Sequence, residues 1–454
     1  MTPEAKHYDP LTSPGPGTGL PHPDSYWKAT AGSPVLDDGP LKGNTEAEVA
    51  IIGGGYTGLS CAYHLARHHG IRPVVLEANL PGWGCSGRNG GFARMALGRH
   101  TLAQMQDSWG RQRALDSFAE MKASLQTVRD LILEGSIDCD AEESGHLKIA
   151  HRPERVAGLQ AEVELLNREF NYPAEFLDAR QVQEHHIGGP QSWGALRIPD
   201  ALSVHPLKLA LGVCRMARNA GAIVHRASPV TSWAKTGGQH TLTVPGGTVL
   251  AKHVVVATNG YTPPRLHDSV RATLLPVLSH IIVTRPLTAD ETRATNFVTR
   301  HVLTDSRKLV FYWRRLADDR ILFGGRGLVY DAPERHPAMR SRLLADLRQK
   351  LPGLEEVTVD YDWHGWVCLT GDFMPHVHHA EDDPTCHYAL GYQGSGVSMA
   401  LHAGRILAQR IAGQPAAMSV PPFNAPLPRV PFHDFARIGQ SAMYAWYKFH
   451  DRVL

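Results

Sequence analysis

No stretch of this 454-residue chain approaches the roughly 20 consecutive apolar residues that a membrane-spanning helix needs. Its first forty residues lack a basic start followed by an apolar run, so no secretory signal is expected and the cytoplasm is the default location. Charge of one sign is scarce as well. The 46 basic and 44 acidic residues leave a net charge of +2, without the clustered basic excess of a nucleic-acid binder. Six cysteines (Cys61, Cys85, Cys139, Cys214, Cys368 and Cys386) are scattered with no C-x-x-C pair, the pattern of reduced and mostly buried thiols. Internal repeats are absent, and no Ser-His-Asp set stands at a recognisable elbow. The run HVHH (His376 to His379) lacks partner thiolates or a helical H-x-x-x-H face, so no metal is expected. An apolar content of 43% and a charged content of 20% fit a globular protein, and the length leaves room for two or three folding units.

What the chain does have is glycine in unusual places. The segment GWGCSGRNGG, residues 82–91, holds five glycines in ten residues and almost no apolar side chain beyond Trp83. Glycine is used where a backbone must turn sharply or press close against something. Upstream, residues 49–52 form a short apolar run suited to a buried parallel strand, and Gly53-x-Gly55-x-x-Gly58 follows at once. Leu59, Ala62, Tyr63, Leu65 and Ala66 then recur at helical spacing, with Gly70 placed to stop the helix. A second apolar run, residues 73–76, ends at Glu77.

This order gives each residue a task in binding a dinucleotide. Gly53 permits the turn, Gly55 lets backbone N–H groups approach a pyrophosphate, and Gly58 lets helix and strand pack closely. Tyr56 and Thr57 open the helix, whose free N–H groups favour phosphate. Glu77, 19 residues after Gly58, can accept hydrogen bonds from the adenosine ribose hydroxyls.

The fingerprint alone does not choose between NAD and FAD. After Glu77, however, the chain enters the glycine loop and a helical stretch over 102–134, rather than further short βα units. Residues 254–257 form another apolar strand, ending in Thr258-Asn259-Gly260. Later, GYQGSGV carries Gly394, Ser395, Gly396 and Val397 into an amphipathic helix. A second helix N-terminus in the same site suits the anionic edge of a reduced flavin.

Taken together, these segments resemble the FAD-dependent D-amino-acid-oxidase-like superfamily, whose members oxidise amines and amino acids. SYW, IIGGGYTGLSCAYHLA, GWGCSGRNGG, VVVATNGYTP, GYQGSGV and the aromatic-basic tail are similar, more narrowly, to the gamma-glutamylputrescine oxidase group. The resemblance runs from about residue 26 to the C-terminus. It implies that Ser86, Gly87, Arg88, Asn89, Gly90 and Gly91 lie along the isoalloxazine, with Arg88 and Asn89 donating hydrogen bonds to FAD. It also implies that Val230 places its backbone near the adenine. Superfamily members that attach FAD through cysteine use one far later than Cys85, and a noncovalent cofactor is expected. The group commonly carries an arginine shortly before Pro375, where this chain has Phe373-Met374.

The expected architecture is α/β, with a discontinuous Rossmann-like FAD-binding domain and an antiparallel-sheet α+β substrate domain. Residues 1–45 read as a loose arm, with Tyr26 and Trp27 as a docking point. Residues 46–105, 180–270 and 360–416 read as the FAD domain, 106–179 and 271–359 as the substrate domain, and 417–454 as a tail. HLKIAH, HIIVTR, LVFYWRR and RILFGGR read as strands with one buried face. In the tail, Met443, Tyr444, Trp446 and Tyr447 could share a helical face, against the protein itself, a second subunit or a membrane surface.

The expected chemistry is oxidation of a C–N bond in an amine or amino acid to the imine, with O2 or another carrier as electron acceptor. An alternative is a membrane-associated dehydrogenase that passes electrons to quinone. Such chemistry rests on positioning, so site residues are weakly advertised. Arg94 follows the flavin loop and suits a carboxylate clamp. Tyr312 and Arg314 share a strand face by the period of two, and Trp366, Tyr261 and Tyr392 are candidate cavity walls. Asp372 and His364 are weaker candidates.

Overall fold

The computed structural model describes residues 8–32, 37–414 and 419–453. Its first sheet is built on the apolar runs read above. The strands Ile223–His225, Val74–Leu76, Gly43–Ile52, Gly247–Val256 and Asp383–Leu390 lie side by side and all parallel. Val49, Ala50 and Ile51 are fully buried, as are Val254, Val255 and Val256, which is what a parallel sheet covered on both faces demands. His376–Ala380 adds an antiparallel edge, and the hairpin Ser232–Thr236/Gln239–Val244 pairs with the first half of Gly247–Val256.

Two long helices cover one face. Tyr56–His69 starts at Gly55, ends at Gly70 in the left-handed region (φ 68°) and packs against Gly396–Ile411. Their contact is close because Gly404 carries no Cβ; one there would stand 2.5 Å from the Thr57 carbonyl oxygen. Ser60 Oγ donates to Leu401 O at 2.6 Å across the same seam.

The second sheet has eight strands in the order Val359–Thr370, Leu274–Thr284, Ile321–Arg326, Tyr312–Arg315, Val302–Asp305, His146–Ile149, Gly194–Ile198 and Glu175–Asp178. All neighbours are antiparallel except Val302–Asp305 with His146–Ile149, which are parallel. A small third sheet joins Phe92–Arg94, Ala201–Ser203 and Glu142–Glu143.

Three sequence expectations are corrected here. Gly194–Ile198 and Val359–Thr370 fall in stretches read as cofactor domain, yet both belong to the second sheet. Sheet membership follows from pairing partners, which spacing along one strand does not encode. The helix expected over 102–134 is two helices, Leu102–Trp109 and Arg111–Glu134, broken at Gly110 with φ 83°. The described part of the arm is not loose. Trp27 is 1% exposed, Leu20 N donates to Asn79 Oδ1 and Gly19 N donates to Ala78 O.

The tail forms the helix Ala436–Val453. Tyr444 is buried, Met443 and Tyr447 pack beside it, and Trp446 turns outward at 55% exposure. Among the described residues, no helix is long and apolar enough to cross a membrane.

Replacing Gly404 with valine is expected to lower stability by about 1–3 kcal/mol or more, because the added methyls meet main chain that cannot move aside. Thermal unfolding of the purified protein checks this, and the FAD content should fall in parallel.

Candidate active site

In open α/β sheets, ligands bind beyond the carboxyl ends of the strands. Here those ends converge. Gly43–Ile52 delivers Gly53, Val74–Leu76 delivers Glu77, Gly247–Val256 delivers Thr258 and Asn259, and Asp383–Leu390 leads to residues 394–397. All of these residues line one cavity of about 1290 Å³. Typical small-ligand pockets span about 300–1,000 Å³, so a dinucleotide and a small substrate fit together.

Two helix N-termini enter the cavity. Gly55 and Ser395, the residues preceding the two long helices, make no side-chain cap, although the first N–H of the first helix, on Tyr56, is taken by Ser86 Oγ. Glu77 is 9% exposed, and its two oxygens accept from Gly54 N at 2.7 Å and Asn79 N at 2.9 Å. Burial raises its pKa against these bonds. Val230 lines the same end.

The glycine loop is fastened to its surroundings at every step. Trp27 Nε1 donates to Asn89 O at 2.9 Å and Trp363 Nε1 to Arg88 O at 2.8 Å. Tyr56 N donates to Ser86 Oγ at 2.8 Å. Arg88 spreads over the Trp83 ring at 4.2 Å and donates to Trp83 O at 2.8 Å and His364 O at 3.3 Å. The Asn89 amide donates to Cys85 O and Ser86 O and accepts from Gly91 N. Arg88 and Asn89, expected as donors to the cofactor, thus spend these hydrogen bonds on the protein and hold the loop in shape.

The sequence candidates separate into two groups. Gly53, Gly55, Tyr56, Thr57, Glu77, Ser86, Arg88, Asn89, Gly90, Val230, Thr258, Asn259 and residues 394–397 line the cavity, as do Arg94 and Tyr312. Gly58, Gly87, Gly91 and Gly260 stand behind it. A Cβ on Gly58 would lie 2.0 Å from Gly53 O, and one on Gly91 2.0 Å from Val204 O. They permit close packing rather than contact with a ligand.

Arg314 and Trp366, expected at the substrate, are corrected. Arg314 is 5% exposed and donates from Nη2 to Val204 O at 2.8 Å, while Val204 N donates to Gly91 O. It braces the far side of the loop. Trp366 is buried with Trp83, Tyr261 and Leu278, and its carbonyl oxygen accepts from the Cys85 thiol. Asp372 serves a turn, accepting from His376, Thr370 and Met374 N. Tyr261 and Tyr392 do line the cavity, the latter with its hydroxyl 2.7 Å from Thr57 Oγ1.

Sequence reasoning missed the cationic end. Arg99, Lys148, Arg307 and Arg326 line the cavity with Arg94. Lys148 pairs with Glu162 at 2.7 Å, and Arg307 pairs with Asp305. No ion pair holds Arg94, Arg99 or Arg326 among the described residues. Burial pulls Arg94 down to about 10. Arg326 donates from Nη2 to Gln393 O at 2.9 Å, whereas its Nη1 is buried with no protein partner. Gln393 Oε1 is orphaned in the same way. Isolated cations carry no sequence signal; Arg94, Lys148 and Arg326 lie on three different strands and Arg99 and Arg307 outside them, and the fold brings all five to one cavity.

A model for the DAO family, described as FAD dependent oxidoreductase, matches residues 48–410. The chain belongs to this family. It is 33% identical over 436 residues to the gamma-glutamylputrescine oxidoreductase of Escherichia coli K12, covering 95% of this chain and 99% of that protein. Glycine oxidase from Geobacillus kaustophilus superposes with a TM-score of 0.69 at 21% identity, over 85% of this chain and 99% of that one. The L-proline dehydrogenase of P. horikoshii gives 0.67 at 17% identity, over 84% and 96%. These two structures establish the fold.

The protein is therefore an FAD-dependent oxidoreductase, and the residues present fit the cofactor. A Cβ on Gly55 would meet Ser86 Oγ at 2.9 Å, and one on Gly90 the Tyr312 ring at 3.2 Å, so glycine at both positions lets the backbone pack tightly into the wall of a cavity that has room for a ring and a pyrophosphate. The N-termini of the two long helices, both lining the cavity, are suited to its phosphates and ring edge.

Substituting Trp27 with phenylalanine removes the indole donor that pins Asn89 O in a buried setting. A loss on the order of 1 kcal/mol is expected, about a fivefold weaker FAD affinity, read by fluorescence titration of the apoprotein.

Proposed function

We propose that the enzyme oxidises the C–N bond of an amine that also bears a carboxylate, giving the imine, with O2 accepting the electrons and hydrogen peroxide released. The observation that carries this reading is Arg94, which lines the cavity with Tyr312 and has no carboxylate partner among the described residues. Gamma-glutamylputrescine, or a related glutamyl-amine, meets the requirement. So does a cyclic secondary amino acid such as proline or pipecolate. A plain polyamine does not, since several uncompensated cations would repel it.

FAD, when bound, supplies the acceptor for a hydride from the carbon next to nitrogen. The protein's part is placement. Arg94 clamps the carboxylate, and the orphaned Arg326 Nη1 offers a second charged donor. Tyr312, its hydroxyl 2.9 Å from Ser279 Oγ and its ring edge-on to Phe92, forms a fixed wall. These arginines also disfavour the ammonium form of a nearby substrate amine, and the neutral amine is the form that can lose a hydride. No dedicated base is required, and imine hydrolysis follows with water.

The cofactor is held noncovalently in this reading. Burial pushes the Cys85 thiol up to about 11, and it already donates to Trp366 O. Burial raises Cys368 as well. Acid precipitation is expected to release all flavin into the supernatant; colour retained in the pellet would contradict this.

An anaerobic screen for flavin bleaching tests the reading. A carboxylated amine should bleach the wild type rapidly, and Arg94→Met should reduce kcat/KM for it by about 10–150-fold, the worth of about 1.5–3 kcal/mol for a charged hydrogen bond. Bleaching by putrescine alone, unaffected by Arg94→Met, would refute it.

One observation favours the alternative of a membrane electron acceptor. Phe432, Phe435, Ile438, Trp446 and Phe449 are 84%, 64%, 69%, 55% and 57% exposed, an apolar face on and before the tail helix. Deleting the tail would be a poor test, because Tyr447 lines the cavity and Arg437 binds Asp9. Ile438→Glu with Trp446→Glu is cleaner. On the alternative, it abolishes liposome binding and quinone reduction while leaving anaerobic bleaching intact.

A further inference from the structure

Outside the cavity, three histidines from distant stretches meet at one point. His280 lies in the strand Leu274–Thr284 and His364 in Val359–Thr370, directly opposite each other in the antiparallel register. His336 is the first residue of the helix His336–Lys350. One ligand atom from each lies within 4.8 Å of the others. The ring centroids stand 4.5–5.4 Å apart. Asp331 joins them, with Oδ1 accepting from His336 Nε2 at 2.7 Å and lying 3.9 Å from His364 Nε2.

His280 is the decisive member. It is 5% exposed, and neither ring nitrogen has a partner in the protein. Buried polar groups are almost always satisfied, and packing alone does not account for gathering two further imidazoles and a carboxylate around an unsatisfied one.

We propose that His280, His336 and His364, with Asp331 as an oxygen donor, bind one divalent transition-metal ion, of which Zn2+ fits best. Three imidazoles and a carboxylate suit zinc, whereas magnesium and calcium prefer all-oxygen sites. Zinc–nitrogen bonds of about 2.0–2.1 Å put tetrahedral ligands about 3.4 Å apart. The imidazoles therefore close in on the ion by turning their rings. His336 and His364 are 23% and 26% exposed, which leaves an entry path from solvent.

The site is structural. Ser279 and Gly365, the neighbours of His280 and His364, line the cavity, so by strand alternation the two histidines face away from it. The ion ties the segment 331–336 to the strand pair. That pair holds the flavin loop, since Arg88 Nη1 donates to His364 O and Trp363 Nε1 to Arg88 O. The sequence expectation of no metal rested on HVHH, a strand whose residues point alternately to opposite faces; the present ligands are spread over 84 residues and meet only in the fold.

The test is calorimetric titration of chelator-treated holoenzyme with Zn2+ alone, beside thermal unfolding. One Zn2+ per chain is expected, with a raised Tm. His336→Ala and His364→Gln should each weaken binding at least tenfold and abolish the Tm gain, while His379→Ala in the HVHH run changes neither. Retained FAD absorbance verifies that each variant is folded. Absence of stoichiometric binding by the wild type, or equal binding by His336→Ala and His364→Gln, would overturn the proposal.

Discussion

Everything in the active site depends on holding a glycine-rich backbone still. A segment with five glycines in ten residues has more conformational freedom to lose than any other part of the chain. Two buried indoles answer that cost, one from the N-terminal arm and one from the edge strand of the second sheet. Each donates to a carbonyl that the loop could not otherwise satisfy. Because the two donors come from separate parts of the chain, the loop reaches its shape only when both sheets and the arm are assembled. Cofactor binding is thereby coupled to tertiary folding.

The same economy governs the glycines behind the cavity. Gly58 and Gly91 work by absence, letting main chain pass where a methyl group would collide with a carbonyl oxygen. Side chains with striking chemistry, Arg88, Asn89 and Arg314, are occupied in fixing that main chain. The surface offered to a flavin is consequently backbone and helix termini. Such a surface is preorganised, and its helix N-termini direct partial positive charge into the cavity, which suits a ring that becomes anionic on reduction.

The cofactor half of the protein was legible in the sequence because its signals are local. A strand, three glycines, a helix, a strand and an acid follow in order within about thirty residues, and the spacing alone forces their geometry. The family resemblance then extended this to the glycine loop and the Gly394–Gly396 turn, and both meet the same cavity. The rest of the cavity lining was legible only in part. Arg94 was singled out because it follows the loop; Arg99, Lys148 and Arg326 were not, because only the fold brings them to the same cavity. Tyr312 and Arg314 illustrate the limit. They share one strand face as expected, yet one lines the cavity and the other ends on Val204 O, a difference that only the neighbouring loop decides.

The most direct test of this account is the structure of the crystallised holoenzyme. The account predicts that the isoalloxazine lies along the main chain of residues 86–91 while the Trp27 and Trp363 indoles keep their bonds to Asn89 O and Arg88 O. A ring seated elsewhere, or a loop freed from both indoles in the FAD complex, would contradict it.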